Sequence, residues 1–158
     1  MRSKFMLVAA AILTQVITST AVAAAASTDK ASILAVLTAY ETALNEADTN
    51  AIMALYADDG VFMPQHSKPN VGSEAVRMAY EGVFKTIALN IDFTIDETLQ
   101  VSPDWAIART QSSGIVTLNA TGEQFPEANQ ELFVLQRQAN KEWKIARYVF
   151  TTTNLPRK

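Results

Sequence analysis

Apolar side chains at Ile33, Val36, Leu37, Tyr40 and Leu44 recur every three or four positions, the spacing that lines one face of an α-helix. With Ser27, Thr28 or Asp29 available as N-cap, the reading is a long first helix from Asp29 to Glu46. Asp48 or Thr49 then caps a shorter helix carrying Ile52, Leu55 and Tyr56, and Asp58-Asp59-Gly60 stops it and turns the chain. Val61 to Met63 reads as a short strand ended by Pro64, and Gln65 to Gly72 as a loop. Ser73 is placed to cap a third helix with Val76, Tyr80, Val83, Phe84 and Ile87 inward.

Beyond that point the period changes. Ile91, Phe93 and Ile95 alternate with Asp92, Thr94 and Asp96, as in a half-buried strand. Ser102-Pro103-Asp104 marks a turn, Trp105 to Leu118 a strand bending at Gly114, Asn119 to Glu127 a loop, and Asn129 to Arg137 another strand. Asn140 and Lys141 make a tight hairpin into Trp143 to Thr153. Helices first and antiparallel strands afterwards predict an α+β fold, a curved sheet wrapped around the long first helix.

The first residues carry a different pattern. Arg2 and Lys4 precede an apolar run from Phe5 to Val16, and the stretch ends in Ala21-Val22-Ala23-Ala24-Ala25-Ala26. That is the anatomy of a secretory signal with cleavage near Ala23 or Ala26, and the run is short of the roughly 20 residues that span a bilayer. The expected division is therefore a signal over residues 1–26 and one domain over 27–158, with a periplasmic or secreted product. A mature chain of roughly 130 residues makes one domain. Removing Arg2 and Lys4 moves the formal net charge from −3 to −5, which disfavours nucleic acid and anionic membranes as partners. The absence of cysteine excludes disulfides, thiolate metal sites and cysteine nucleophiles.

Several segments have a familiar arrangement. Tyr40-x-x-Ala43-Leu44-Asn45-x-x-Asp48, Leu55-Tyr56-Ala57-Asp58-Asp59, Gly72-x-x-x-Val76-Arg77 and Trp143-Lys144-Ile145-Ala146-Arg147-Tyr148 resemble the SnoaL-like, nuclear-transport-factor-2-like superfamily across nearly the whole mature chain. Glu127-Ala128-Asn129-x-Glu131-Leu132-Phe133 is similar to one of its subgroups, some of whose members carry oxidoreductase labels. The resemblance implies a cone of bent antiparallel sheet closed by three helices around a deep pocket, and a homodimer through the outer sheet face. Nothing in the sequence supports redox chemistry: there is no G-x-G-x-x-G, no Cys and a single His, so neither a cofactor nor a metal is expected.

Compared with the family's ketosteroid isomerases, in which a tyrosine and a neutral acid polarise a carbonyl while an aspartate moves a proton, the oxyanion-hole tyrosine falls on Tyr40. Two further pocket tyrosines fall on Tyr56 and Tyr80. Neighbouring phenols chain hydrogen bonds and donate more readily to a developing oxyanion; the plain alternative is three aromatic residues packing on inner helix faces. The isomerase base position is occupied by Met63, which cannot take a proton, leaving His66 as a remote candidate base against its reading as a solvated loop residue. The neutral acid maps to Glu131, with Phe133 and Leu135 at the same parity. Arg109, sharing its face with Gln111 and Ser113, stands to pair with Glu131 inside the cone or to receive a ligand carboxylate, the alternative being a structural ion pair or a solvated Arg. Tyr148 and Phe150 complete the expected pocket wall, with Trp143 and Arg147 on the outer face.

Three functional readings remain open on this basis: an exported protein binding a small, mostly apolar molecule with a carbonyl or carboxylate; an isomerase, cyclase or lyase working by proton transfer; and a dimeric interaction module with a filled cavity.

Overall fold

A computed structural model describes residues 29–155. The signal reading falls on residues outside that range. Helix α1 covers residues 29–45 and buries Ile33, Leu37, Tyr40 and Leu44, the stripe expected from its spacing. Asp48 caps helix α2 (Thr49–Leu55), its side chain accepting from the Ala51 N–H at 2.9 Å. Strand β1 (Tyr56–Met63) begins directly after α2, so Asp58 and Asp59 lie on its exposed stretch instead of ending the run. Gly60 is required there, since a Cβ would press on the Tyr56 ring and the Ala57 carbonyl oxygen.

Strand β2 (Asn70–Val71) pairs with β1 and leads into helix α3 (Ser73–Thr86). Gly72, at φ 84°, is the N-cap of α3, and the Ser73 hydroxyl instead donates to the Asp58 carbonyl at 3.1 Å. Four long strands follow: β3 (Ile87–Ser102), β4 (Trp105–Leu118), β5 (Gln124–Arg137) and β6 (Trp143–Thr152). They form with β1 and β2 one six-stranded sheet in the order β2-β1-β6-β5-β4-β3. The sheet is mixed, because β1 runs parallel to β6 while the other neighbours are antiparallel. Crossing between non-adjacent segments in this way lets the first strand close against the last.

One apolar core joins α1 to the inner sheet face, with Ile33, Leu37, Phe133, Leu135 and Ile145 fully buried. Asn45 docks the end of α1 onto β3 twice over, accepting from the Ile91 N–H at 2.9 Å and donating to the Ile91 carbonyl at 2.8 Å. At the other end, Asp29 pairs with Arg137, whose guanidinium lies 4.8 Å from the Trp143 ring centre. A bulge in β6 lies between Ile145 and Arg147, opposite Val134 and Leu135. It shifts the alternation, so Trp143 is buried with Ile145 on the inner side, contrary to the outer placement expected from uninterrupted parity. No described helix is long and apolar enough to cross a membrane.

Candidate functional site

The inner sheet face and helices α1 and α3 leave a cavity of about 290 Å³ above the core. Its inner end is aromatic. Tyr40 meets Phe133 and Tyr148 edge-on, at 5.5 and 5.3 Å between ring centres, and Phe133 stacks on Tyr148 at 4.4 Å. The face of Phe62 lies against Tyr80 at 4.7 Å. These rings supply apolar walls whose polar tips still require partners.

The tips find one another. The Tyr40 and Tyr80 hydroxyls are 2.5 Å apart, and Tyr80 and Tyr56 are 3.0 Å apart. Tyr40 and Tyr80 line the cavity, and Tyr56 supports the chain from behind. Burial pushes all three phenols well above the ordinary tyrosine value, with neighbouring phenols adding to the effect. They stay neutral donors at any physiological pH. When the protons run from Tyr56 to Tyr80 to Tyr40, the last proton is left for an oxygen in the cavity.

Glu131 is a carboxyl group of this wall, 5% exposed in the middle of β5. Thr110 donates to one carboxylate oxygen and Tyr148 to the other, the latter at 3.2 Å. Burial raises the Glu131 carboxyl above its usual range, while the hydroxyls of Thr110, Ser112 and Tyr148 pull it back. The Tyr148 phenol is itself raised well above the ordinary tyrosine value, by burial first and by the adjacent carboxylate second. A desolvated carboxylate with its lone pairs partly held is suited to taking a proton from a bound molecule.

Two and four residues outward along β5, on the same face, stand Asn129 and Glu127, both lining the cavity. The Asn129 amide nitrogen donates to Glu127 at 2.9 Å and to the Ser112 hydroxyl at 3.3 Å. Gln65, which follows Pro64, also lines the cavity and accepts from the Thr152 N–H at 2.7 Å.

The site residues read from the sequence therefore divide. Tyr40, Tyr80, Glu131, Tyr148 and Phe150 line the cavity, while Tyr56 and the fully buried Phe133 stand behind it. Met63 is not brought to it: Phe62 pairs with Tyr148 on the inner face, and Met63 pairs with Val149 on the outer one. His66 sits exposed in a turn at φ 59°, away from the lining. Arg109 and Gln111 are on the wrong side for the roles expected of them. The β4–β5 register sets Thr110, not Arg109, opposite Glu131. The Arg109 guanidinium, 53% exposed, pairs with Asp96 at 2.7 Å, and Gln111 donates to the same carboxylate at 3.0 Å. The expected Arg109–Glu131 pair does not form, because a shift of one residue in parity turns every side chain to the other face. Together with Leu132, Val149 and Thr151, these two line a larger groove of about 490 Å³ on the outer face, open to solvent.

Thr110, Ser112, Glu127, Asn129 and Gln65 were missed. The parity of Glu131 already carried Glu127 and Asn129 onto its face. No comparable signal marked the other three. Among the described residues, no three His, Cys, Asp or Glu side chains gather as a cation site.

This architecture has known counterparts. A family model described as a SnoaL-like domain matches residues 36–147. The chain belongs to the SnoaL-like family. A ketosteroid isomerase-like protein from Erwinia carotovora atroseptica SCRI1043 is 39% identical, with a TM-score of 0.77 over 79% of this chain and 96% of its own. A nuclear transport factor 2-like superfamily protein from Salmonella enterica serovar Typhimurium LT2 shares the fold at 15% identity and a TM-score of 0.73, covering 82% of this chain and 94% of that one. So does a protein from Novosphingobium aromaticivorans DSM 12444 with a provisional scytalone dehydratase assignment, at 16% identity and 0.73, over 84% and 89%. None of the curated proteins matches this chain.

Proposed function

We propose that this SnoaL-like protein binds a small, mostly apolar molecule through a carbonyl oxygen that accepts a hydrogen bond from Tyr40. The observation that carries the reading is the phenol chain, Tyr56 to Tyr80 to Tyr40, ending at a cavity of about 290 Å³. That volume is close to the lower end of ligand pockets, and it argues against the filled-cavity alternative. A carboxylate ligand loses its intended receptor, since Arg109 points to the outer face.

Glu131 supports a second reading, proton transfer on the bound molecule. Glu131 lines the same cavity as Tyr40 and Tyr80, so a proton α to a polarised carbonyl has a base on the same wall system as its oxyanion donors. The isomerase, cyclase and lyase classes all use such a step.

A thermal-shift screen of hydrophobic ketones tests both. Binding ketones should raise the melting temperature of the native protein, and Tyr40→Phe should weaken them roughly tenfold, the worth of one hydrogen bond to a buried acceptor. Glu131→Gln should spare binding while abolishing turnover. Equal ketone affinity in Tyr40→Phe would remove the phenol chain from recognition.

The same proposal extends to location and assembly. The signal-like start supports export. The outer sheet face, where Leu132 is 41% exposed, supports pairing with a second copy. Light scattering of the mature protein at twice the monomer mass is the expected result, and a monomer at micromolar concentration contradicts it.

A further inference from the structure

Asn129 is held in a way that leaves one of its atoms unanswered. Its amide nitrogen is committed to Glu127 and Ser112, and the carboxylate, which accepts only, fixes which end of the amide is which. The carbonyl oxygen Oδ1 is buried and has no hydrogen-bond partner. Asn129 as a whole is 7% exposed and belongs to the cavity wall. A buried acceptor without a donor carries a desolvation cost that native proteins seldom leave uncompensated.

The surroundings say what kind of group would compensate it. No Lys, Arg or His is among the residues that line the cavity, whereas Glu127 and Glu131 both do. The donors beside Glu131 and Asn129 are committed: Thr110 and Tyr148 donate to Glu131, and the Asn129 nitrogen to Glu127. This part of the wall is therefore rich in acceptors and negative in charge, and the aromatic rings around it are compatible with a neutral or positive guest. An anion entering here would be desolvated beside two carboxylates without a counter-charge.

We propose that Asn129 is a specificity-determining residue whose Oδ1 takes a hydrogen bond from a hydroxyl or amino group of the guest, so that the cavity selects ligands carrying a donor and rejects carboxylates. The inference rests on the ligand-binding reading above and adds a second anchor to it. Glu131 and Asn129 are neighbours on one face of β5, about 7 Å apart along the strand, so the guest's donor sits one such step outward from Glu131.

A matched set of bicyclic probes tests it by isothermal titration calorimetry at neutral pH: tetralone, a hydroxytetralone, the tetrahydronaphthol that lacks the ketone, and a carboxytetralone. The hydroxytetralone should bind about tenfold tighter than tetralone, and the carboxytetralone weaker than either. In Asn129→Leu the advantage of the hydroxyl should vanish, read as the ratio of hydroxytetralone to tetralone affinity in that variant falling from about ten to about one. The wild-type series alone decides the matter if that variant does not fold. Hydroxytetralone binding no tighter than tetralone overturns the donor site and leaves the carbonyl reading standing. So does a carboxytetralone that binds as tightly as the parent ketone. Tetrahydronaphthol binding in an Asn129-dependent manner without any binding of tetralone supports the donor site and sinks the carbonyl reading. Failure of all four to bind overturns both.

Discussion

Glu131 holds a carboxyl group where burial works against its charge, and three hydroxyls work for it. The balance lifts its affinity for a proton above the ordinary value of 4.5. A folded-state value above the unfolded one means that the native protein keeps a proton that the unfolded chain has released, so stability from this group is greatest below about pH 4.5 and falls as pH rises through the folded value. Glu131→Gln removes the titration. Its stability relative to the parent should therefore improve as pH rises from 4.5 through the folded value and level off above it, read as the shift of urea midpoints measured in parallel. A stability difference independent of pH would show that Glu131 is as well solvated as a surface carboxylate. The residue was legible in the sequence because a lone Glu shares parity with Phe133 and Leu135. Its partners were not, since Thr110 and Ser112 are small polar residues that bear no mark of burial until the register brings Thr110 opposite Glu131 and Ser112 opposite Asn129.

At the scale of elements, β4 shows why correct boundaries do not secure a correct face. The strand runs from Trp105 to Leu118, as the sequence pattern predicts. Its inner positions are Ala106, Ala108, Thr110 and Ser112, all buried, while Trp105 and Ile107 lie at the outer parity. The buried side is made of small side chains, so the bulk of the strand, and with it the apparent hydrophobic face, lies outward. Arg109 follows that parity to Asp96. In β6 a single bulge has the same effect on Trp143. The helices were easier to read, since their three-and-four spacing tolerates no such inversion, and α1 ends within a residue of the predicted Glu46. Its docking to the sheet rests on Asn45, whose side chain satisfies both backbone groups of Ile91. Asn45→Ala leaves that N–H and carbonyl without partners and should cost about 2–3 kcal/mol in chemical denaturation. A loss below about 0.5 kcal/mol, the range of ordinary surface substitutions, would mean that water replaces both bonds and that packing alone seats the helix.

For the molecule as a whole, the aromatic cluster joins core and cavity into one titrating unit. The chain has four tyrosines, and all four, Tyr40, Tyr56, Tyr80 and Tyr148, are buried in it with their phenols raised well above 10.0, chiefly by desolvation. In the unfolded chain each would ionise near its ordinary value. The native state thus retains protons that unfolding releases, and stability must fall as pH climbs above about 10, steeply because several groups act together. The near-ultraviolet absorbance of tyrosinate gives the test: at about pH 11 the folded protein should show almost none, and the signal should appear in a single step coincident with loss of the native circular dichroism. Tyr40→Phe should remove about a quarter of the amplitude without separating the two transitions, since the remaining phenols stay behind the same barrier to water. Ionisation of one tyrosine ahead of unfolding would carry a different meaning. Tyr40 and Tyr80 border the cavity while Tyr56 lies behind them, so an early, partial step lost in Tyr40→Phe would show that the cavity admits water to the end of the phenol chain, the path a ligand oxygen has to take.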